Sequence, residues 1–242
     1  MNSCSPKKSL LSGMVGDYFL PRKGRMARHF DYSKEQLKNS ICGLYLNQDV
    51  YLYVINTIEI SDSGVFIQRG SGPNFQGSEV TLCTCKHFMR SFRTPERWEN
   101  TWVAGFCSSR YGHENSIVYL MQIDAAYEDF CSLWLDLPER SRKTKDATGN
   151  CLGDIYRPAR LCLNPKSHEC YETPVEGHSH KSKINPAGWI WDIEAVFKGR
   201  SPALLRGSPK NTFLWSKPQL RLPFILHRGQ KKMNLKELLT TL

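Results

Sequence analysis

Two thiols, an imidazole, a lysine and an arginine fall within one short stretch of the chain: Cys83, Cys85, Lys86, His87 and Arg90. Side chains alternate across an extended strand. A strand near 80–86 therefore places Thr81, Cys83, Cys85 and His87 on one face and Val80, Leu82 and Thr84 on the other. A cysteine reacts as its thiolate, and Lys86 and Arg90 are the cations that would lower a nearby thiol pKa. Alternation sends Lys86 to the opposite face unless the strand ends there. A nucleophile also needs an oriented base and oxyanion donors, and free cysteine commonly serves as a small buried apolar residue. The stretch is therefore expected to wall a binding site. The alternative is an enzyme with Cys83 or Cys85 as nucleophile and His87 or Asp154 as base.

Three further constellations carry chemistry. Trp102, with Gly105 and Phe106, pairs a large ring with a glycine that lets a flat ligand approach the backbone, an arrangement suited to base stacking and equally to a core strand. Tyr111, Tyr119 and Tyr156 are further wall candidates. In Gly153-Asp154-Ile155-Tyr156 the carboxylate can accept from a base edge or bond its own turn. Cys162, His168, Cys170, His178 and His180 are metal-ligand types, but their spacing matches no common zinc site, so no metal and no cofactor are expected. The chain has no P-loop, no dinucleotide glycine fingerprint, no nucleophile elbow, no His-Glu-x-x-His and no deaminase signature.

The elements that must position these groups are short. Ser33-Lys-Glu-Gln36 has the form of a capping box ahead of Leu37, Ile41 and Leu44, which predicts a helix from Lys34 to Leu44. Val50–Ile55 is the strongest strand, followed by a glycine-rich loop over 61–79 and strands near 80–86, 101–107 and 116–124. Residues Glu128–Leu135 form a short helix, and Arg140–Lys145 a charged loop. Gly188–Trp191 and Phe213–Trp215 are read as returns to a sheet, and Leu235, Leu238, Leu239 and Leu242 as one face of a helix capped by Asn234.

In order along the chain, Gly72-Pro-Asn-Phe-x-Gly77, Thr81-Leu-Cys-Thr-Cys-Lys86, Arg90, Trp102-Val-Ala-Gly105, Tyr119-Leu-Met121 and Gly153-Asp-Ile-Tyr156 resemble the nucleotide modification associated domain proteins. These are small proteins found with DNA-hypermodification systems and related to PUA, ASCH and EVE-like barrels. The resemblance covers roughly residues 50 to 225, and departs from the family pattern at Thr101 and His87. It implies an α+β, PUA-like small mixed β-barrel with flanking helices. It also implies recognition of a modified base or nucleotide in DNA, in a modification or phage-defence setting. The binding residues would be Thr81, Cys83, Cys85, Lys86, Arg90, Trp102, Gly105, Phe106, Asp154 and Tyr156, with His180 at the rim beside Ser179. The expected organisation is a basic N-terminal arm, 1–32, followed by a single nucleotide-binding domain, 33–242, with a helical C-terminal extension.

Charge supports a polyanionic partner. The chain of 242 residues carries a net +10, concentrated at its ends. Residues 1–38 hold eight Lys/Arg against three Asp/Glu, residues 198–242 hold ten against one, and the middle is net negative. No apolar run approaches the ~18 residues of a membrane span, and the early Leu10–Val15 stretch is too short for a signal-peptide core. Nine cysteines without a scaffold spacing suit a reduced compartment, so a cytoplasmic protein is expected. If the ends attract phosphates while the middle recognises the base, removing residues 1–30 weakens binding to all DNA alike. The log–log salt dependence then flattens by about one unit per lost phosphate contact, which a salt titration of the truncated chain measures.

Overall fold

A computed structural model of the chain describes residues 29–41, 43–109, 114–160, 162–178, 180–227 and 229–242. In chain order the elements are β1 (His29–Phe30), α1 (Lys34–Ser40), β2 (Asp49–Ile55), β3 (Ile58–Ile60), β4 (Phe66–Gln68), β5 (Thr81–Leu82), α2 (His87–Arg90), α3 (Pro95–Trp98) and β6 (Trp102–Cys107). There follow β7 (Ile117–Tyr127), α4 (Phe130–Asp136), α5 (Glu139–Lys145), α6 (Ile190–Glu194), β8 (Leu204–Leu214), β9 (Gln230–Asn234) and α7 (Leu235–Thr241). Contacts divide the chain into two compact units, each assembled from separate segments. Among described residues, one comprises 70–99 and 125–206, and the other comprises 29–69, 100–124 and 207–242. Most of the expected basic arm lies outside the described residues. His29–Phe30 pairs in parallel with Phe213–Leu214, so a truncation that spares the fold stops at Arg28.

The sheet overturns the barrel expectation. Seven strands run in the order β1-β8-β7-β6-β2-β9, with β5 joined to β8 off that path, and the ends do not meet. A closed barrel needs its first and last strands to pair at a consistent tilt and stagger. Here β1 is only two residues long, and β9 pairs with β2 alone. The sheet is mixed: β2 lies parallel to β6 and antiparallel to β9. Val50–Ile55 and Trp102–Cys107 are buried throughout, as expected of strands covered on both faces. The β9 edge carries exposed Lys231 and Lys232, charges that oppose further strand addition. The Ser33–Gln36 capping box is formed in both directions, although α1 stops at Ser40 rather than reaching Leu44. Asn234 accepts from the Glu237 amide and caps α7, which buries Leu235, Leu238 and Leu239.

The other unit has little regular structure. Its core joins Cys83, Phe130, Leu133, Ile155, Tyr156, Tyr171, Trp189, Ile193 and Leu204. Three local expectations change here. The strand at 80–86 shrinks to Thr81–Leu82, the two residues that pair with β8; beyond them the Cys83 and Cys85 carbonyls turn to Arg90, and Lys86 is left-handed (φ 56°) ahead of α2. The charged loop at 140–145 is the helix α5, whose Ser141 and Lys145, four residues apart, face inward. Gly188–Trp191 leads into the helix α6 instead of a strand. In the sheet unit, the loop expected over 61–79 contains β4, paired with β3 in a hairpin. No helix among the described residues is long and apolar enough to cross a membrane.

Gly105 tests the packing of the sheet. A Cβ there would meet the Tyr119 ring at 2.3 Å and Ile55 Cδ1 at 2.5 Å, beside the buried Tyr53–Tyr119 hydroxyl pair. Gly105→Ala is expected to lower stability by about 1–3 kcal/mol through overpacking, as read by urea denaturation.

Candidate functional site

The turn after β5 is organised by one guanidinium. Arg90, fully buried, donates to four carbonyls: Cys85 (2.7 Å), Cys83 (2.6 Å), Ala203 (2.6 Å) and Pro202 (3.3 Å). Carbonyl dipoles rather than a carboxylate solvate the charge, and burial pushes its pKa down. Arg90 thus fixes the Cys83–Lys86 turn and sets the start of α2, where His87 stands. Its donors are engaged inside the protein, not held out toward phosphates. The two thiols of the turn are also pushed up, Cys83 well above the ordinary range and Cys85 to about 12, by burial first. A thiolate nucleophile needs the opposite shift.

Behind the turn lies a buried relay. Lys145 Nζ donates to Asn74 Oδ1 (2.8 Å) and Thr81 Oγ1 (3.0 Å), and Thr81 in turn donates to Asp154 Oδ1 (2.8 Å). Burial lowers the lysine pKa and raises that of Asp154, whose Oδ2 has no hydrogen-bond partner among the described residues. Gly153 makes this approach possible, since a Cβ there would strike the Lys145 carbonyl at 2.5 Å.

A second polar system centres on Asp192 of α6, buried beside Tyr156, His180 and His87. Tyr156 donates to its Oδ2 at 2.7 Å, and His180 Nδ1 lies 3.0 Å from Oδ1. His87 Nε2 also reaches Oδ1, at 3.1 Å, but off the angle of a hydrogen bond. Burial alone would raise this carboxyl; the His180 and His87 contacts hold it down to about 2. The three imidazoles differ. Burial lowers His87, the Asp192 contact raises His180, and burial holds His178 down to about 4. His178 Nε2 lies 2.9 Å from the Tyr156 oxygen. His178 Nδ1 also lies 3.3 Å from the Cys151 carbonyl, and a neutral ring carries one N–H, so with the Tyr156 proton on Asp192 it serves either the tyrosine oxygen through Nε2 or that carbonyl through Nδ1, not both.

Aromatic rings border this group. Trp191 and Phe197 lie 6.4 and 6.5 Å from the His87 ring, Phe88 meets Phe92 at 4.7 Å, and Phe88 meets Phe197 at 5.9 Å. Trp191 is 53% and Phe88 48% exposed, unusual for large rings beside a buried ionised carboxylate. Arg200 donates to the Phe92 carbonyl at 3.3 Å and places a cation nearby.

Of the residues singled out by the sequence, the structure brings Thr81, Cys83, Cys85, Lys86, Arg90, Asp154, Tyr156 and His180 into one unit. Trp102, Gly105 and Phe106 belong to the other, as buried members of β6, with the Trp102 indole N–H on Gln48 Oε1 at 2.8 Å. Tyr111 and Ser179 lie outside the described residues. The Cys/His set divides: His168 pairs with Glu194, Cys162 lies by Cys170 and meets Cys131 with sulfurs 2.8 Å apart, and His178 and His180 join the Tyr156–Asp192 group. Among the described residues no three His, Cys, Asp or Glu side chains are grouped to hold a metal ion. Sequence reasoning passed over Lys145 and Asp192. The inward spacing of Ser141 and Lys145 was the one available signal, and nothing local marked Asp192. Comparison with protein families, curated proteins and solved structures finds no match to this chain.

His178 yields a pH test. Its folded pKa of about 4 lies below the ordinary 6.5, so the unfolded chain takes up the proton first. Stability from this group is complete above pH 6.5 and falls as pH drops toward 4. At about 1.4 kcal/mol per unit, the loss is about 3 kcal/mol. His180 acts in the opposite sense: its contribution is full below 6.5 and is lost as pH rises through its raised folded value. Asp192 changes only at lower pH, between its ordinary 3.8 and about 2. Denaturation of His178→Gln, which removes the titrating ring and keeps a polar side chain, is expected to show a profile shallower by that amount between pH 6.5 and 4.

Proposed function

We propose that this chain binds a nucleotide through the aromatic rings around His87, receiving a modified base presented by DNA. The observation that carries the reading is the group Phe88, Phe92, Trp191 and Phe197, left partly in water beside His87, His180 and ionised Asp192. Stacking on such rings is worth about 1–3 kcal/mol per base and suits any base face. The polar neighbours supply orientation: half-exposed His180 stands beside the rings on Asp192, and Arg200 places a cation near Phe92. Thr81 and Arg90 are engaged with protein acceptors, so these two groups take over the recognition first expected of them. Because duplex bases are stacked, the base must be flipped out, at a cost of a few kcal/mol that is least for weakened pairs. The motif resemblance and the net +10 favour DNA as the source.

The test compares labelled duplexes identical except for one bulky 5-substituted pyrimidine, at matched salt, by fluorescence anisotropy. The modified duplex is expected to bind more tightly. Trp191→Ala is expected to weaken that binding by about 1–3 kcal/mol while the melting temperature changes little, since about half of the residue is in solvent. Equal affinity for the two duplexes removes the recognition role.

A further inference from the structure

We propose that Cys131 and Cys162 are a thiol–disulfide exchange site, at which a low-molecular-weight disulfide is reduced and the two protein sulfurs are joined. The inference is independent of the nucleotide reading. The two thiols are free and in contact, with sulfurs 2.8 Å apart. Both ends of that contact are held by the fold. Cys131 lies in the first turn of α4, which Asp129 caps through the Ser132 amide. Cys162 lies in a loop whose arms are tied by backbone hydrogen bonds from Ala159 to Cys170 and from Glu172 to Arg157. Lys166 of the same loop pairs at 2.8 Å with Glu128, just ahead of α4. Both cysteines pack against the core of this unit yet stay partly exposed, so a dissolved reagent can reach them, whereas Cys83, Cys107 and Cys170 are buried.

The exchange takes two steps. Cys131 gives its proton to water, and its thiolate attacks one sulfur of the small disulfide. The S–S bond of the reagent breaks, and the departing thiolate takes up a proton. Cys162 then loses its proton and attacks Cys131 Sγ in the mixed disulfide, and the second small thiol departs in the same way. Two protein thiols are oxidised, and one small disulfide is reduced to two thiols. The surroundings of Cys162 set the order. Burial, with Cys131 and Cys170 beside it, pushes its thiol up, which makes it the poorer group for a reagent arriving from solution. Contact compensates in the second step, where the attack is within the molecule. Cys170 is less available, being buried with its sulfur accepting the Asn164 amide at 3.3 Å. The new bond joins α4 to the loop that carries His168, whose amide and ring hold Glu194 of α6 at 2.9 and 2.6 Å. Oxidation therefore braces the loop on which α6 ends.

The experiment uses the full chain, reduced, freed of reductant and incubated with glutathione disulfide without denaturant. Remaining thiols are then blocked with N-ethylmaleimide. Trypsin cuts after Arg110, Arg140, Arg160 and Lys166, which puts Cys131, Cys162 and Cys170 in three different peptides. Mass spectrometry is expected to find the Cys131 and Cys162 peptides joined, with no glutathione retained, and dithiothreitol to separate them. Cys162→Ser is expected to stop at the mixed disulfide, with one glutathione on Cys131; no adduct on that variant overturns the order of attack. The joined wild type is expected to melt at a higher temperature than the reduced chain, and an unchanged melting temperature overturns the bracing. Both thiols left free, a lasting glutathione adduct on wild-type Cys131 or Cys162, or a link from either to any other thiol overturns the site. So does a link that forms only in urea, because the fold would then not be what brings the sulfurs together. Should Cys162→Ser fail to fold, the wild-type peptide map decides alone.

Discussion

The site-bearing unit is held by a positive charge kept out of water with no direct carboxylate partner among the described residues. Arg90 is solvated by the backbone oxygens of Cys83, Cys85, Pro202 and Ala203. Removing a buried guanidinium from such a set would leave several carbonyls unsatisfied, each costing about 1–3 kcal/mol. The arrangement joins the turn after β5 to the strand that enters β8, and makes the orientation of His87 a consequence of backbone geometry rather than of local propensity. A four-residue helix has almost no intrinsic stability, because nucleation is unfavourable and few hydrogen bonds are gained. The guanidinium, together with the Trp98 indole donating to the Arg90 carbonyl at 3.0 Å, supplies what α2 lacks.

Two buried polar systems divide the work around this anchor. Lys145, Thr81, Asn74 and Asp154 form a closed relay of donors and acceptors that fastens α5 and the Gly153 turn to β5. Asp192, with His87, His180 and Tyr156, forms a second system that opens toward the aromatic rings. They differ in kind. The first leaves a single unpartnered carboxylate oxygen deep inside, and the second sets imidazoles of unequal basicity at a partly wet boundary. Asymmetric titration at a boundary of this sort is characteristic of functional sites, whereas a sealed relay is as much a feature of structure.

Elements governed by neighbouring residues were legible in the sequence. The capping box at Ser33, the β-branched run through Val50–Ile55 and the Asn234 cap each depend on groups a few residues apart. Contacts at long range were not. The pairing partner of β9 is β2, about three quarters of the chain away, and no local pattern announces it. Alternation failed at Cys83–Lys86 because pairing with β8 stops at Leu82 and the Cys83 and Cys85 carbonyls turn to Arg90, a contact no local pattern suggests. The candidate site was half legible. His87 and His180 drew notice as reactive types, but the carboxylate that joins them sits in a segment resembling a strand, and folds instead into α6.

The separation of Arg90 from its acceptors has a consequence for biosynthesis. A nascent chain emerges from its N-terminal side, and Arg90 leaves the ribosome more than a hundred residues ahead of Pro202 and Ala203. Lys145 likewise joins Asn74 and Thr81 across 71 and 64 positions. Closing such spans is entropically slow and draws on contacts that local folding cannot supply. The unit is therefore a late product of translation. Its guanidinium stays hydrated while the sheet strands β2, β6 and β7 are already extruded, and the imidazoles gain their shared carboxylate only when α6 follows.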